Sequence, residues 1–408
     1  MKKSAALILI LAVVAVAAAV TLTACATVSV TFDLNGGTVD GSGESVVMNV
    51  SGQLDLSEIL PEKQDSAISG WTDEEGNFYG AYSVITPQDG MRLTAVYEGV
   101  LEYTRVDDGY AVSATEGYAG VNVVIPEEYN GMPVTEVAEN AFSGCTSMKT
   151  LRIPDSVKRV GRGALSGCTS LESIVLPFVG ASVDTPVGVN NKGMAHMFGL
   201  SGGSSWAKDY GLKQVTVTDA ATVIPNGAFE GMTSLQYVNL GENITEIGAR
   251  AFSNCSNLVS VTLPEKCVSI GAYAFANCSK AAITVKGAIT VLGSYSFSNS
   301  GITAITLGEG ITSIPDNCFY GSSLRSITLP SSVTSVGSAA FRNCTRLTGV
   351  TVNSVVTLRS SAFSECSALT NDSLHFSSGG SFAFAEGVSG DTATLGSAFY
   401  RTGVTMYN

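Results

Sequence analysis

The residues that most often perform chemistry are scarce in this chain of 408 residues and lie far apart. There are two histidines, His196 and His375, and neither stands beside a nucleophile or a second metal ligand at a usable spacing. No glycine-rich loop opens a helix, so no phosphate-binding motif is present. The acidic residues are scattered over surface-type positions such as Glu242 and Glu309. We therefore predict that the protein is not an enzyme and needs no cofactor.

The N-terminus has the composition of an export signal. Lys2 and Lys3 precede an apolar run over residues 5–20, and Leu22-Thr-Ala-Cys25 follows. These last residues resemble a bacterial lipobox, which implies that residues 1–25 are a lipoprotein signal peptide and that Cys25 is lipidated. By this resemblance the protein is exported and held at the membrane by a lipid anchor on Cys25. The alternative is an uncleaved membrane anchor.

Cysteine is the other reactive residue type, and eight copies remain after Cys25. Six of them recur at one position of a repeat, which favours small buried apolar residues, so we predict free thiols. Disulfides are the alternative, because the count is even and an exported protein tends to pair its cysteines. Neither a CxxC nor an HxxxH spacing occurs, so we expect no metal site. The six are Cys145, Cys168, Cys255, Cys278, Cys344 and Cys366.

One apolar pattern recurs along residues 145–370 and must position every other group. Its copies begin 22 or 23 residues apart, except for one longer step. A unit this short cannot bury its own apolar side, so the copies must stack into a solenoid of parallel strands. Aligned on the first apolar strand position, the ten copies begin at Met148, Leu171, Leu212, Leu235, Leu258, Lys280, Ile302, Leu324, Leu347 and Leu369.

Each copy, which we call a coil, reads Leu-x-x-Ile-x-Leu and continues through Ile-Gly to Ala-Phe and the cysteine position. Residues 246–264 show the whole pattern: EIGARAFSNCSNLVSVTLP. This pattern resembles the BspA-type leucine-rich repeat, which implies a β-rich solenoid, a leucine-rich repeat array of about ten coils of 22–23 residues. The glycine permits either a sharp turn or close approach of the backbone. One buried column is expected from Phe252, Phe275, Phe297, Phe319, Phe341 and Phe363.

Residues 26–100 follow another pattern. Val28-Ser-Val-Thr-Phe32 alternates like a half-buried strand, and Asn35-Gly-Gly37 predicts a tight turn. Together with Gly70-Trp71 and the closing strand Leu93-Thr-Ala-Val96-Tyr97, these residues resemble the internalin-type B-repeat, a small β-grasp module. The resemblance implies a spacer or adhesive module without catalysis. We expect Trp71 in its core, with ligand binding as the alternative.

The two ends of a solenoid need covers, because an open sheet edge invites pairing with other chains. We assign the N-terminal cover to residues 101–144, interpreted as a hairpin of strands at 110–112 and 121–125 followed by the first half of a repeat. Residues 371–408 are interpreted as an irregular C-terminal cap. The alternative for this tail is that a longer array has been truncated.

The repeat is interrupted once. The step from Leu171 to Leu212 spans 41 residues, and residues 178–211 replace the returning half of this coil. Insertions in repeat proteins become loops on one face, often the binding face. We therefore treat the larger side chains of the insertion as candidate binding residues, although they could instead pack on the solenoid. They are His196, Phe198, Trp206 and Tyr210.

The outward positions of the strands form a second candidate surface. The later coils present mainly threonine there, beside alanine, serine or glycine, and this makes a flat neutral face. The larger outward groups lie in the first half of the array, near the insertion. Because binding hot spots favour tyrosine and arginine, we predict a binding patch there. Its members are Arg152, Gln214, Tyr237 and Asn239.

Composition and resemblance together limit the function. The formal net charge is −13 and no basic run follows Lys3, which argues against nucleic acid and anionic membrane surfaces. The BspA-type resemblance implies a surface-exposed, non-catalytic lipoprotein that binds host matrix proteins, glycans or other cells. The alternative is a structural or sensory component of a cell-envelope complex. A third interpretation, a glycan-processing enzyme, would need a carboxylate pair that meets only in three dimensions.

Overall fold

The computed structural model describes residues 27–63, 67–75, 77–81, 83–98, 101–115, 118, 120–183, 193–200, 210–384, 398–400 and 402. The predicted signal peptide, Cys25 and Trp206 lie outside these ranges. Nowhere in the described ranges is there a helix with the length and apolar character that crossing a membrane requires.

Seven strands make up the N-terminal domain. Their bounds are β1 (Val28–Asp33), β2 (Val46–Val50), β3 (Leu54–Asp55), β4 (Ala67–Thr72), β5 (Phe78–Gly80), β6 (Val84–Ile85) and β7 (Met91–Glu98). Five of them form a mixed sheet in the order β2-β1-β7-β4-β5, in which β1 and β7 run parallel. The small strands β3 and β6 pair separately, and a 3-10 turn at Leu56–Glu58 follows β3.

The core of this domain forms around Trp71. Its side chain is fully buried, and its ring meets that of Phe32 edge to face with centroids 4.9 Å apart. Leu34, Leu54 and Leu93 complete the cluster. The expectation that Trp71 is a core residue is therefore confirmed, whereas the assignment of the domain as a β-grasp module stays a prediction.

From Leu101 onward, the described residues form short strands, one short α-helix and a 3-10 turn at Asn371–Ser373. Up to the helix, their bounds are β8 (Leu101–Val106), β9 (Gly109–Ala114), β10 (Asn122–Val124), β11 (Glu128–Tyr129), β12 (Met132–Val137), β13 (Thr150–Arg152), β14 (Arg159–Val160), β15 (Ser173–Leu176) and α1 (Gly193–Met197). Beyond it lie β16 (Gln214–Val217), β17 (Val223–Ile224), β18 (Tyr237–Leu240), β19 (Glu246–Ile247), β20 (Ser260–Leu263), β21 (Ser269–Ile270), β22 (Ala282–Val285), β23 (Val291–Leu292), β24 (Ser313–Ile314), β25 (Ser326–Leu329), β26 (Ser335–Val336), β27 (Gly349–Val352), β28 (Val355–Leu358), β29 (Leu374–Phe376) and β30 (Ser381–Phe384).

These strands confirm the predicted solenoid. All coils but one contribute a strand to a parallel sheet of order β10-β13-β15-β16-β18-β20-β22, which β25-β27-β29 resume after the gap left by the remaining coil. A second row of two-residue strands, β17-β19-β21-β23, lies on the returning side, and β24-β26-β28-β30 continue it. The array has about 11 coils of about 23 residues.

The N-terminal cover differs from its prediction. The hairpin joins β8 to β9, and it does not include the strand predicted at residues 121–125. That strand, β10, pairs in parallel with β13 and is therefore the first rung of the long sheet. The repeat pattern in the sequence begins only at Met148, so β10 adds one coil before the ten that were predicted. The hairpin itself continues into the repeat, because β9 pairs with β12 and β12 with β14.

One coil that looks regular in the sequence is irregular in the structure. The copy that begins at Ile302 forms no strand in the long sheet, where one β-bridge between Ile289 and Leu307 takes the place of a ladder. This gap divides the long sheet into its two parts. The coil carries glycine at positions 301, 308 and 310, and glycine weakens a strand because it has no side chain to pack.

A column of phenylalanine rings fills the centre of the solenoid, as predicted. From Phe229 to Phe363 the rings stack coil upon coil, with centroids 4.9–5.5 Å apart. All of them are fully buried. Phe399 continues the column beyond Phe363 at 5.4 Å, so part of the tail repeats the packing of a coil.

The glycine of the repeat is required by the spacing of the coils. A Cβ atom added at Gly271 would lie 2.5 Å from the backbone nitrogen of Ala249 in the preceding coil. Atoms at this distance overlap, so no residue with a side chain fits without moving the backbone. Gly248 approaches Asn226 in the same way. The predicted close approach of the backbone at these glycines is confirmed.

The cysteines form a ladder of thiols that bridges successive coils. All eight described cysteines are buried and free, as predicted. The Cys278 thiol donates to the carbonyl oxygen of Phe252 at 3.0 Å, and four other members of the column make the equivalent bond. These are Cys168 to Phe142, Cys255 to Phe229, Cys344 to Phe319 and Cys366 to Phe341.

Burial keeps these thiols protonated. It raises the pKa of the Cys278 and Cys318 thiols to about 12, and that of Cys267 to about 11, because the charged thiolate would lose its water. A group whose pKa is higher in the folded state stabilises the fold fully below its unfolded pKa, and this contribution is lost as the pH rises toward the folded value.

We therefore expect the free energy of unfolding to fall above pH 9.0, by about 1.4 kcal/mol per thiol and pH unit until the folded pKa is reached. Cys278→Ala should be less stable than the parent protein at neutral pH but should lose less stability above that value. Urea unfolding of both proteins at a series of pH values measures the difference. Identical pH profiles would show that Cys278 does not ionise on unfolding.

Candidate binding surface

The outward face of the long sheet presents a compact group of polar side chains. Gln214 of β16 lies directly beside Tyr237 of β18, and Thr216 lies beside Asn239. The Asn239 amide donates to the Thr216 hydroxyl at 3.4 Å, while the Tyr237 side chain is 45% exposed. Parallel strands in register therefore bring three of the four outward residues predicted to bind into one patch. We call Gln214, Thr216, Tyr237 and Asn239 the strand-face patch.

A shallow cavity borders this patch. It encloses about 150 Å³, and Asn239, Thr262, Glu242 and Lys286 line it. The Lys286 ammonium and the Glu242 carboxylate lie 3.1 Å apart and join two coils 44 residues apart in sequence. The patch thus combines an exposed aromatic ring with amides, hydroxyls and one ion pair, which suits a polar ligand.

Arg152 does not belong to this patch. It lies in the same outward row as Asn239 but three strands away, on β13. Neighbouring strands are about 4.8 Å apart, so the two backbones are separated by roughly 14 Å. Arg152 instead lines a larger cavity between the N-terminal domain and the first coils.

Phe198 is a core residue, and its prediction as a binding residue is wrong. It is fully buried beside α1. The Leu165 nitrogen donates to the Met197 carbonyl at 2.8 Å. The Phe229 nitrogen makes the matching bond to Ala251, the residue before the next phenylalanine. Phe198 therefore occupies the phenylalanine position of the interrupted coil, which the insertion restores with a helix.

His196 and Tyr210 also bind this coil to the neighbouring coil through their side chains. The His196 ring nitrogen Nε2 lies 3.0 Å from the carbonyl oxygen of Val160, to which it can donate a hydrogen bond. The Tyr210 ring packs on Phe198 with centroids 4.3 Å apart, and its hydroxyl accepts from the Gly167 nitrogen at 3.4 Å. In a regular coil the carbonyl of the next coil accepts this bond. Both side chains are half-buried and act as structural groups.

The described residues contain no cluster of side chains suited to a metal ion. Among them, no three histidine, cysteine or acidic side chains lie close enough to hold a metal ion. His375 is exposed on β29, and His196 is engaged with the backbone of the solenoid. Trp206, the remaining candidate of the insertion, lies outside the described residues.

One feature escaped sequence reasoning. A cavity of about 430 Å³ opens where the N-terminal domain meets the first coils, and Tyr103 and Tyr129 line it together with Arg152. The rings of Tyr103 and Tyr129 stack with centroids 3.8 Å apart, and the edge of Tyr110 packs against Tyr129. The available signal was four tyrosines within residues 103–129 of the predicted cover, of which Tyr103, Tyr110 and Tyr129 pack together. Their convergence depends on the pairing of β8, β9, β12 and β11, which the sequence does not reveal.

Comparison with known proteins identifies the repeat. Residues 122–184, 203–320 and 290–403 match the family described as BspA type leucine rich repeat region, in six copies. These ranges cover well over half of the chain. No curated protein matches the sequence significantly.

Several solved bacterial structures are similar to this chain at low identity. A leucine-rich repeat protein from Bacteroides ovatus is 20% identical, with 77% of this chain and 99% of that chain covered and a TM-score of 0.34. A leucine rich cell surface protein from Faecalibacterium prausnitzii is 17% identical, with coverages of 73% and 96% and a TM-score of 0.27. The pneumococcal vaccine antigen PcpA is 14% identical, with coverages of 76% and 97% and a TM-score of 0.27.

We expect Phe198→Ala to lower the free energy of unfolding by about 3–5 kcal/mol, because it empties a buried site in the interrupted coil. Tyr237→Ala should change it by no more than about 0.5 kcal/mol, because that side chain is largely outside the core. Urea unfolding compares the two variants with the parent protein. Equal stabilities for Phe198→Ala and the parent would place Phe198 outside the core.

Proposed function

Because this chain belongs to the BspA-type leucine-rich repeat family, we propose that it is a cell-surface protein that binds a protein ligand through the strand-face patch. Tyr237 carries this proposal: its ring is 45% exposed on a rigid sheet, between amides and hydroxyls and beside a cavity. Aromatic side chains supply much of the energy of protein interfaces, and a sheet fixes their direction without a further entropy cost. The role is one of binding, without catalysis.

The finer proposal is adhesion to host matrix proteins or to other cells. Lipidation of Cys25 would anchor the chain, and the N-terminal domain would act as a spacer between the membrane and the solenoid. The net charge of −13 argues against nucleic acid as the ligand. A glycan is the second candidate, because the amides of Gln214 and Asn239 and the exposed tyrosine ring could serve sugar hydroxyls and a sugar face.

A screen of matrix proteins and glycans against the purified protein tests the ligand class. For the ligand it identifies, we expect Tyr237→Ala to weaken binding by about tenfold or more, as for a hot-spot residue. Tyr400→Ala is the matched control, because Tyr400 is 52% exposed and lies at the far end of the array. If both variants bind as well as the parent protein, the strand-face patch is not the binding surface.

A second experiment tests the cellular location and the lipid anchor. We expect protease treatment of intact cells to release the repeats, because an anchored surface protein exposes them to the medium. Cys25→Ser should shift the protein from the membrane fraction to the soluble fraction, because the lipid is its attachment. Repeats that stay intact until the cells are broken would favour an internal envelope component instead.

A further inference from the structure

A cavity opens between the N-terminal domain and the first coils, and the strand-face patch makes no use of it. It encloses about 430 Å³. Leu60, Pro61 and Ile68 line it from the N-terminal domain, and Val124 and Ile125 line it from the solenoid. We call it the junction cavity. Ligand sites favour such places, where two units meet over an apolar floor with a few polar groups.

One wall of the junction cavity is a preorganised aromatic group. The stacked rings of Tyr103 and Tyr129 are nearly parallel, with an angle of 7° between their planes. Tyr110 packs its edge against Tyr129 at 87°, with centroids 5.1 Å apart. Because β8 and β11 belong to one sheet, the wall is already ordered without a ligand. The loss of side-chain entropy on binding would therefore be small.

Three glutamates also line the cavity. Glu62 is exposed on the N-terminal side, and Glu127 and Glu128 are exposed on the solenoid side. The backbone holds them in place: Glu62 exchanges two hydrogen bonds with Thr38, and Glu128 pairs with Pro133 in the β11–β12 ladder. None of the three takes part in an ion pair of the described residues.

Some glutamates of the solenoid do have a cationic partner: Glu172 lies 3.1 Å from Lys213, and Glu365 lies 2.7 Å from Arg342. The cavity also has two cationic residues. Lys63 donates its ammonium to the carbonyl of Asn35 at 3.0 Å, and Arg152 lies at the opposite wall. The carboxylates outnumber these cations, so a cationic ligand group is favoured over an anionic one.

We propose that the junction cavity binds a lysine or arginine side chain of a peptide or protein ligand. The aliphatic stem would lie on the tyrosine wall and the apolar floor, and the charged head would reach Glu62, Glu127 and Glu128 at the rim. Such a side chain matches both properties of the site, whereas a neutral oligosaccharide would gain no charge–charge attraction from the three carboxylates. The surface is separate from the strand-face patch and extends the proposed function to a second contact.

The test measures binding of defined probes to the full chain by calorimetry. The probes are a tetralysine peptide, a tetraglutamate peptide and a neutral chitin oligosaccharide. We expect tetralysine alone to bind, with an affinity that falls as the salt concentration rises. The double variant Glu127→Gln/Glu128→Gln should weaken tetralysine binding about tenfold, and Glu62→Gln on the opposite wall should weaken it by about threefold.

The matched control is Glu265→Gln/Glu309→Gln, which removes the same charge from exposed positions far along the array. It should bind tetralysine like the parent protein, and so should Tyr237→Ala, which separates this site from the strand-face patch. An equal loss in both double variants would mean that lysine is attracted only by the net charge, and would overturn the proposal. Binding of the oligosaccharide instead of tetralysine would also overturn it. Thermal unfolding establishes that each variant is folded. If the double variant is unfolded, tetralysine binding by Glu62→Gln alone tests the proposal.

Discussion

Each coil of this protein is stable only because its neighbours are present. A coil contributes a strand of about four residues, one phenylalanine and one small buried group, and none of these forms a core alone. The next coil supplies the missing partners: backbone acceptors, a stacked ring such as Phe275 on Phe252, and a thiol that donates to the preceding carbonyl. Cooperation between adjacent coils therefore determines the architecture, and a surface can be rigid without a large globular core.

The interrupted coil shows how strict this dependence is. The insertion replaces a returning strand, yet the positions that neighbouring coils require are filled again. Phe198 takes the place of the missing ring, Met197 offers the carbonyl that Leu165 needs, and the Tyr210 hydroxyl accepts the bond from Gly167. Three side chains that looked suited to a ligand, His196, Phe198 and Tyr210, contact the solenoid instead. The polar residues of the neighbouring strands are then the ones left at the surface.

The sequence predicts what repetition determines and misses what depends on a single junction. The Phe252 column and the close approach at Gly271 follow from their recurrence, because every coil imposes the same demand. Phe198 carries no such periodic signal, because the insertion breaks the spacing of the repeat, and its place in the core follows from the helix α1 directly before it. The irregular coil at Ile302 and the junction cavity escaped for a similar reason, since glycine flexibility and the meeting of two domains leave no periodic trace.

The pairing of Ser173 with Gln214 has a consequence for how such a protein can vary. These residues are 41 positions apart in sequence, yet they lie side by side in the sheet, like any two residues one coil apart. The loops on the returning side of the solenoid can thus gain or lose residues without changing the register of the strands in the long sheet. In related proteins, the loops and the outward strand positions can therefore change independently. The one condition is that each new loop again supplies the phenylalanine ring and the hydrogen bonds of the segment that it replaces.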